Sequence, residues 1–338
     1  MTGMVCHLAV GPITHGVVRY GEAVYDAARA EGLEHCLIRS SGSEATEVPE
    51  CVLVHIHVTD RLFGSSPRYA LTALQELIAA IGGPVSVTLH DLPQPSDGPS
   101  MSDRVAFYRS VLDLVVGVVV SSEHEAQLLH EFVHPDADSL VEIAVVPLMI
   151  AGPVRPKRVP PTVARTVGVL GFLYPGKGHI ETMRAMQTLP TSVGFTALGM
   201  PSPGHEYLVD ELYTEAAVSG RECLVTGFVD DDELRQRMWE VTVPVAHHRH
   251  LSASGSINTW ISAGRRPLVP RTRYIEELNR RSPGVLTMYE NVDGALDAAL
   301  ATATENPADT WTHHSVVPSS SPAEVANTYD AILRRWST

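Results

Sequence analysis

The sequence predicts an α/β protein made of two doubly wound, Rossmann-like halves, and three observations carry that expectation. Its short β-branched runs are apolar almost throughout instead of alternating, as strands covered on both faces must be. The segments between them carry apolar residues at helical spacing. The alternation breaks once, at a proline-rich stretch near residue 155, and then starts again. With 338 residues, 44% of them hydrophobic, the chain is long enough to bury two cores.

The first half, 1–150, opens with CHLAV (6–10), followed by a helix over 20–31. CLI (36–38) and VLVHIHV (52–58) follow, then a helix over 67–80 and the run VSVTLH (85–90). A helix over 102–112, LVVGVVV (114–120), a helix over 124–132 and IAVVPLMI (143–150) complete it. AGPVRPKRVPPTVAR (151–165) holds four prolines and no amphipathic period, so it reads as a linker. The second half, 166–320, alternates TVGVLGFL (166–173), a helix over 179–189, VGFTALG (193–199), a helix over 206–220 and CLVTGFV (223–229). A helix over 231–240, VTVPVAHH (241–248), a helix over 256–263, RPLVP (266–270) and a helix over 292–303 follow. The tail 321–338 starts with Ser321 and Glu324 at capping-box spacing and continues as an amphipathic helix that can cross back to the first half. Two such halves put a cleft between them, lined by loops at the carboxyl ends of both sets of strands.

Charge narrows the functions. There are 25 basic and 39 acidic side chains, a net charge of −14, which excludes broad binding to nucleic acid. Any anion must be held by a few focused groups, and only two of the basic residues are lysines, Lys157 and Lys177. MTGMVCHLAV carries no signal-peptide pattern, and the longest apolar stretch is too short to span a bilayer. Cys6, Cys36, Cys51 and Cys223 have no metal-ligand spacing and read as reduced, buried thiols. A cytoplasmic protein without a metal site is expected.

One loop concentrates anion-binding chemistry. Strand, glycine loop and helix follow one another through Gly171, Gly176, Lys177 and Gly178. Such a turn offers backbone N–H groups, and Lys177 adds a charge. The alternative is that the glycines only shape a tight turn. A Walker A loop needs Ser or Thr where Gly178 stands, so ATP hydrolysis through that motif is not expected.

The run GVLGFLYPGKGHIETMRAMQTLP resembles the phosphate-binding segment of the GT-B-fold nucleotide-sugar glycosyltransferases, in particular the retaining, family 4-like group. GPITHGVVRYGEAVYDAARAEG (11–32) is similar to the first loop and helix of that class, and PVSVTLHD (84–91) to its strand ending in a cleft-facing histidine. VVVSSEHEAQLL (118–129), CLVTGFVDDDELRQRM (223–238) and SASGSINTWISAGRRPLV (252–269) continue the series in order. The resemblance implies a transferase that moves a sugar from a UDP- or GDP-type donor. It places donor contacts at Gly171, Gly176, Lys177, Gly178, Gly227 and Phe228, and on the segment holding His248, Arg249, Ser254, Gly255 and Ser256. It places His15, Gly16 and Arg19 on an acceptor or phosphate-side loop, with Arg19 an anion ligand or simply a surface residue. His90 and Asp91, with Lys177, are the catalytic candidates.

Three departures stand out. The usual arginine after the loop glycine is Phe172, and the two usual glutamates are replaced by Ser252 and Trp260. An indole donates or stacks but accepts nothing, so ribose recognition has to differ. Arg249, with Lys177, is the expected substitute for the missing arginine, the alternative being a solvated histidine-rich loop with a serine helix cap. His55 and His57 share one strand face and are expected to be core or strand-end groups. Arg265 and Arg266 read as surface charges before Pro267.

Departure of a nucleoside diphosphate needs cations and N–H donors where negative charge grows. No cofactor is implied; the nucleotide sugar is a co-substrate. The acceptor is a glycan, a glycolipid or a small molecule. Many members of the class use lipid-linked acceptors, which adds peripheral contact with the inner membrane face to the expectations, although no basic amphipathic helix marks a docking surface. Oligomeric state is not legible. Loss of both glutamates also fits a catalytically silent protein that binds a nucleotide or sugar and supports a partner.

Overall fold

The computed structural model describes residues 3–40, 49–134, 141–156, 165–248 and 251–337. By packing, the chain divides into one unit made of Met1–Met149 with Ser320–Thr338 and a second of Ile150–Ser319. In the first unit the elements run β1 (Val5–Val10), α1 (Gly16–Ala30), β2 (His35–Ser40), β3 (Leu53–Val58), α2 (Asp60–Phe63), α3 (Pro67–Ile81), β4 (Val85–Leu89), α4 (Met101–Leu112), β5 (Gly117–Val120), α5 (Glu123–Leu128) and β6 (Glu142–Val145). All six residues of β1 and of β3 are buried, the burial expected of strands with helices on both faces. Side-chain caps set several helix starts. The Ser66 hydroxyl accepts from Tyr69 N ahead of Pro67, and α3 ends on Gly82 in the left-handed region.

The second unit holds β7 (Thr166–Leu170), α6 (His179–Ala185), β8 (Gly194–Leu198), α7 (Tyr207–Ser219), β9 (Cys223–Val225), α8 (Asp231–Glu240), β10 (Val243–Val245), α9 (Gly255–Ser262), β11 (Leu268–Pro270), α10 (Arg273–Arg281), β12 (Thr287–Tyr289) and α11 (Ala295–Glu305). The last helix, α12 (Pro322–Trp336), starts on the Ser321–Glu324 capping box and belongs to the first unit. It packs Val325, Tyr329, Leu333 and Trp336 against Val5, Leu53 and Val119. Gly117 makes room for it, since a Cβ there would lie 2.2 Å from the Trp336 ring. The Trp336 indole N–H then donates to Glu142 at 3.0 Å.

Both sheets are parallel, with orders β2-β1-β3-β4-β5-β6 and β12-β11-β10-β7-β8-β9. In each, the order reverses beside the first strand of the unit, between β1 and β3 and between β7 and β10. Loops leaving the carboxyl ends of those strands therefore diverge and leave a crevice, where open α/β sheets bind ligands.

Two arginines depart from the expectation for residues of their type. Arg265, expected on the surface, is completely buried. Its guanidinium donates to the carbonyls of Met238 (2.8 Å), Val241 (2.5 Å) and Thr242 (2.9 Å) and to Thr310 Oγ1 (2.9 Å), and lies 4.1 Å from the Trp311 ring centre. Burial lowers its pKa to about 9, so it stays charged at neutral pH. Arg266 is half-buried and donates to the carbonyls of Asp309 and Leu286. Arg221 does similar work, donating to the carbonyls of Met186, Leu189, Pro190 and Val193. Carbonyls left over at the ends of short strands and helices are satisfied by these forks.

Candidate functional site

In the second unit the crevice between β7 and β10 is bordered by the glycine loop after β7 and by the segment between β10 and α9. The chain bends sharply on entering α6. Gly178 has φ +95°, and a Cβ there would lie 2.1 Å from the His247 carbonyl oxygen. Gly199 abuts the same loop, 2.2 Å from the Gly171 carbonyl oxygen by the same measure. The glycines thus let three backbone segments meet at closest approach.

This packing brings Lys177 onto the start of α9. Its ammonium donates to Ser256 Oγ at 2.9 Å, and Ser256 Oγ lies 3.1 Å from Ser254 Oγ. Ser254 also caps α9, accepting from Ile257 N at 3.3 Å. Lys177 is only 7% exposed, and burial pulls its pKa down to about 7. No carboxylate pairs with it among the described residues. His179 and His248 lie near enough for the Lys177 charge to disfavour theirs. Both are buried, and among the described residues neither ring nitrogen of His179 nor Nε2 of His248 has a partner. Burial, reinforced by Lys177, lowers the His179 pKa to about 3 and that of His248 well below its usual range. Three groups able to become cationic therefore converge, held back by burial and mutual repulsion, at a place where an anion would reverse both effects.

The other expected donor residues fall around this cluster in different ways. Gly171, Gly176 and Gly227 all adopt positive φ. Phe228 is 63% exposed. Gly255 opens α9. His247 bonds Tyr289 OH through Nδ1 at 2.5 Å. Arg249 and Lys157 lie outside the described residues. Trp260 is fully buried beside Leu170, Leu198 and Met238, so at the position of the second glutamate it forms core instead of facing a ligand. Ser252 is buried as well. The sequence reading missed His179, whose signal was its place as the first helical residue after Gly178.

In the first unit, His90 directly follows β4 and Asp91 follows it at φ +52°, a left-handed conformation that Asp tolerates better than most residues. Arg104 and Tyr108 hold this turn. Tyr108 OH donates to the His90 carbonyl at 2.5 Å, and Arg104 donates to the Asp91 carbonyl while pairing with buried Asp60 at 3.1 Å. Asp91 is exposed and takes a long bond from Thr59 Oγ1 at 3.4 Å. The His15 ring caps α1, accepting from Val17 N at 3.3 Å. Gly16 has open space around its α-carbon and Arg19 is exposed. Burial lowers the His90 pKa to about 4, against the opposing pull of Asp91. His55 is a satisfied core group, bonded to Ser86 and Thr88 Oγ at 2.8 Å each, whereas His57 bonds His90 at 3.1 Å through Nδ1 and its Nε2 has no partner among the described residues.

No model of a protein family matches this sequence, and no curated protein matches it. Solved structures do. The chain is similar to sucrose-phosphate synthase from Thermosynechococcus elongatus, at 13% identity over 99% of this chain and 96% of that one, with a TM-score of 0.67. It is similar to HepE from Anabaena, solved with UDP and glucose, at 14% identity, 98% and 95% coverage and a TM-score of 0.68. For an α,α-trehalose-phosphate synthase from Burkholderia xenovorans, solved with glucose-6-phosphate, the figures are 12% identity, 98% and 99% coverage and 0.68. At such identities the likeness is one of fold, and the fold is the GT-B fold that the sequence resemblance implied. Among the described residues no helix is long and apolar enough to cross a membrane.

Proposed function

We propose that this chain is a glycosyltransferase that transfers a sugar from a nucleoside diphosphate sugar, with the diphosphate held in the second unit. The observation that carries the reading is buried Lys177 bonded to the Ser254–Ser256 turn and close enough to His179 and His248 to disfavour their charge, with ring nitrogens and an ammonium that have, respectively, no partner and no carboxylate partner among the described residues. A structural lysine would be expected to pair or to reach water. Here the hydroxyls and the ammonium converge beside the loop glycines, and an incoming diphosphate would supply the missing negative charge. The same groups would stabilise the charge that grows on the leaving phosphate, which is where transfer of this kind needs help. The reading is supported by the fold shared with HepE, a protein solved with UDP and glucose. It needs no metal, and retention of configuration is the outcome the resemblance implies. The acceptor is a glycan, glycolipid or small molecule bound through the first unit, where His90, Asp91, His15 and Arg19 are the candidates.

A second reading, a silent nucleotide- or sugar-binding protein that supports a partner, is favoured by one observation: the two glutamate positions hold buried Ser252 and Trp260. The test is a panel of UDP- and GDP-sugars measured by thermal shift and by donor hydrolysis. Binding with turnover supports the transferase. Binding without turnover across a broad acceptor set supports the second reading, failure to bind any nucleotide sugar removes the transferase, and failure to bind free nucleotides and sugars as well removes both.

A further inference from the structure

Behind His90 the first unit holds a line of buried imidazoles that the donor site does not use. His90 Nε2 lies 3.1 Å from His57 Nδ1. Further along, His7 Nε2 lies 2.8 Å from His35 Nδ1, and His35 Nε2 lies 2.9 Å from Asp330 Oδ1 on α12. Between the two pairs the line is interrupted. His57 Nε2 and His7 Nδ1 are both buried and, among the described residues, both without a partner. Yet His7 and His57 line one cavity of about 10 Å³, together with Leu8, Val18 and Gly21. That volume is room for one water molecule. Gly21 keeps α1 close over the His57 ring, since a Cβ there would come within 2.9 Å of it.

We propose that one water bridges His57 Nε2 and His7 Nδ1, and that the completed line from His90 to Asp330 is a reversible store for the proton that the acceptor hydroxyl gives up. This rests on the transferase reading and on His90 as the group that meets the acceptor.

Two polarities keep every ring neutral: in one the water donates to both rings and the protons of His57 and His90 sit on Nδ1, and in the other, which the store requires, every bond runs in one direction to the carboxylate. Asp330 accepts from His35 Nε2–H, so His35 Nδ1 must accept from His7 Nε2–H. His7 Nδ1 then accepts from the water, the water accepts from His57 Nε2–H, and His57 Nδ1 accepts from His90 Nε2–H. Each ring carries one proton and stays neutral, and burial keeps His7, His57 and His90 neutral. His90 Nδ1 is left as a bare lone pair with no partner among the described residues, and His90 retains 8% of its surface exposed. That is the state a general base requires.

The step balances. As the acceptor oxygen bonds to the anomeric carbon from the face that the diphosphate leaves, which retains configuration, the bond from that carbon to the phosphate oxygen breaks, and the nucleoside diphosphate departs with the electron pair. The hydroxyl proton goes to His90 Nδ1. The Nε2 proton of His90 moves to His57 Nδ1, that of His57 to the water, and one from the water to His7 Nδ1. The Nε2 proton of His7 then moves to His35 Nδ1 and that of His35 to Asp330. Run in reverse, the same moves return the proton through His90 to solvent or to the released phosphate and restore every tautomer. The groups facing this line are Tyr20 and Tyr25 of α1, His55 of β3 and Tyr329 of α12, with His15 and Asp91 at the His90 end and Arg334 at the other.

The first test does not depend on activity. In the ¹⁵N-histidine-labelled full chain, His90, His57, His7 and His35 should all carry the proton on Nε2, and the His57 Nε2–H should show a cross-peak to a long-lived water. A proton on His57 Nδ1, or no water cross-peak, overturns the proposal. The second test uses Asp330→Asn, which keeps an acceptor for His35 but takes no proton. Turnover should fall at least about tenfold, with the KM for donor unchanged and the acid limb of the pH profile displaced. Unchanged turnover and profile overturn the store even if the water is found. If no nucleotide sugar is turned over, the transferase reading fails on its own, while the tautomer result still decides whether the line exists.

Discussion

Lys177 offers the sharpest quantitative consequence. Burial lowers its pKa from 10.5 to about 7, and at 1.36 kcal/mol per pH unit that is about 5 kcal/mol of penalty on the charged form. The unfolded chain binds this proton up to about pH 10.5 and the folded chain only up to about pH 7, so stability rises with pH across that window and the penalty is full below it. Lys177→Met should therefore stabilise the unliganded chain at pH 7, by up to about 4 kcal/mol, while weakening nucleotide binding. A bound diphosphate should reverse the shift. At pH 8 about nine in ten Lys177 side chains are neutral, so binding UDP should take up about 0.9 proton. Isothermal titration calorimetry in HEPES and in Tris, whose ionisation enthalpies differ and which do not compete for an anion site, reads that number as the slope of the apparent enthalpy. Lys177→Met should reduce it to near zero. Proton release, or an uptake below about 0.2 in the parent chain, would refute the argument that the anion meets a buried, neutral lysine.

Three further outcomes follow from the packing. Burial holds the folded pKa of His55 at about 3 and of His90 at about 4. The unfolded chain therefore binds protons first as the pH falls below about 6.5, and each residue should cost about 2 kcal/mol of stability by pH 5, seen as a falling urea midpoint; a flat midpoint between pH 7 and 5 would contradict this. Arg265→Met should destabilise the second unit by about 3–5 kcal/mol because it strands the carbonyls of Met238, Val241 and Thr242, and a thermal melt within a degree of the parent would show the fork to be dispensable. Gly178→Ala should push the glycine loop off the His247 carbonyl and weaken UDP binding at least about tenfold while leaving the first unit folded, which calorimetry with near-unchanged far-UV circular dichroism would establish.

The strands were legible because apolar runs such as VLVHIHV and VSVTLH are buried on both faces, and the reversal of order beside β1 and β7 then follows from where the loops lie. Elements governed by few residues escaped. The helix Arg273–Arg281 has an apolar stripe of only Tyr274, Ile275 and Leu278 in a run otherwise charged or polar, and the strand Thr287–Tyr289 has three residues, too few for a period. Arg265 was misread as a surface charge because its acceptors are carbonyls from separate segments that meet only in the fold. The lysine and serines of the donor cluster were legible as types, but their meeting depends on β10 crossing to the far side of β7. The histidine line was invisible for the same reason, since its rings come from β1, β2, β3 and the end of β4 and its terminal carboxylate from a helix about 300 residues away in sequence.

The central claim is that the Lys177 cluster holds a diphosphate. Its most direct measurement is a calorimetric comparison of nucleoside diphosphate, nucleoside monophosphate and nucleoside, in the uridine and guanosine series, on the parent chain and on Lys177→Ala. The account predicts that in one series the diphosphate binds at least about tenfold more tightly than the monophosphate, and that Lys177→Ala removes that difference while sparing nucleoside binding. Equal binding of mono- and diphosphate by the parent chain, or an undiminished preference in Lys177→Ala, would contradict it.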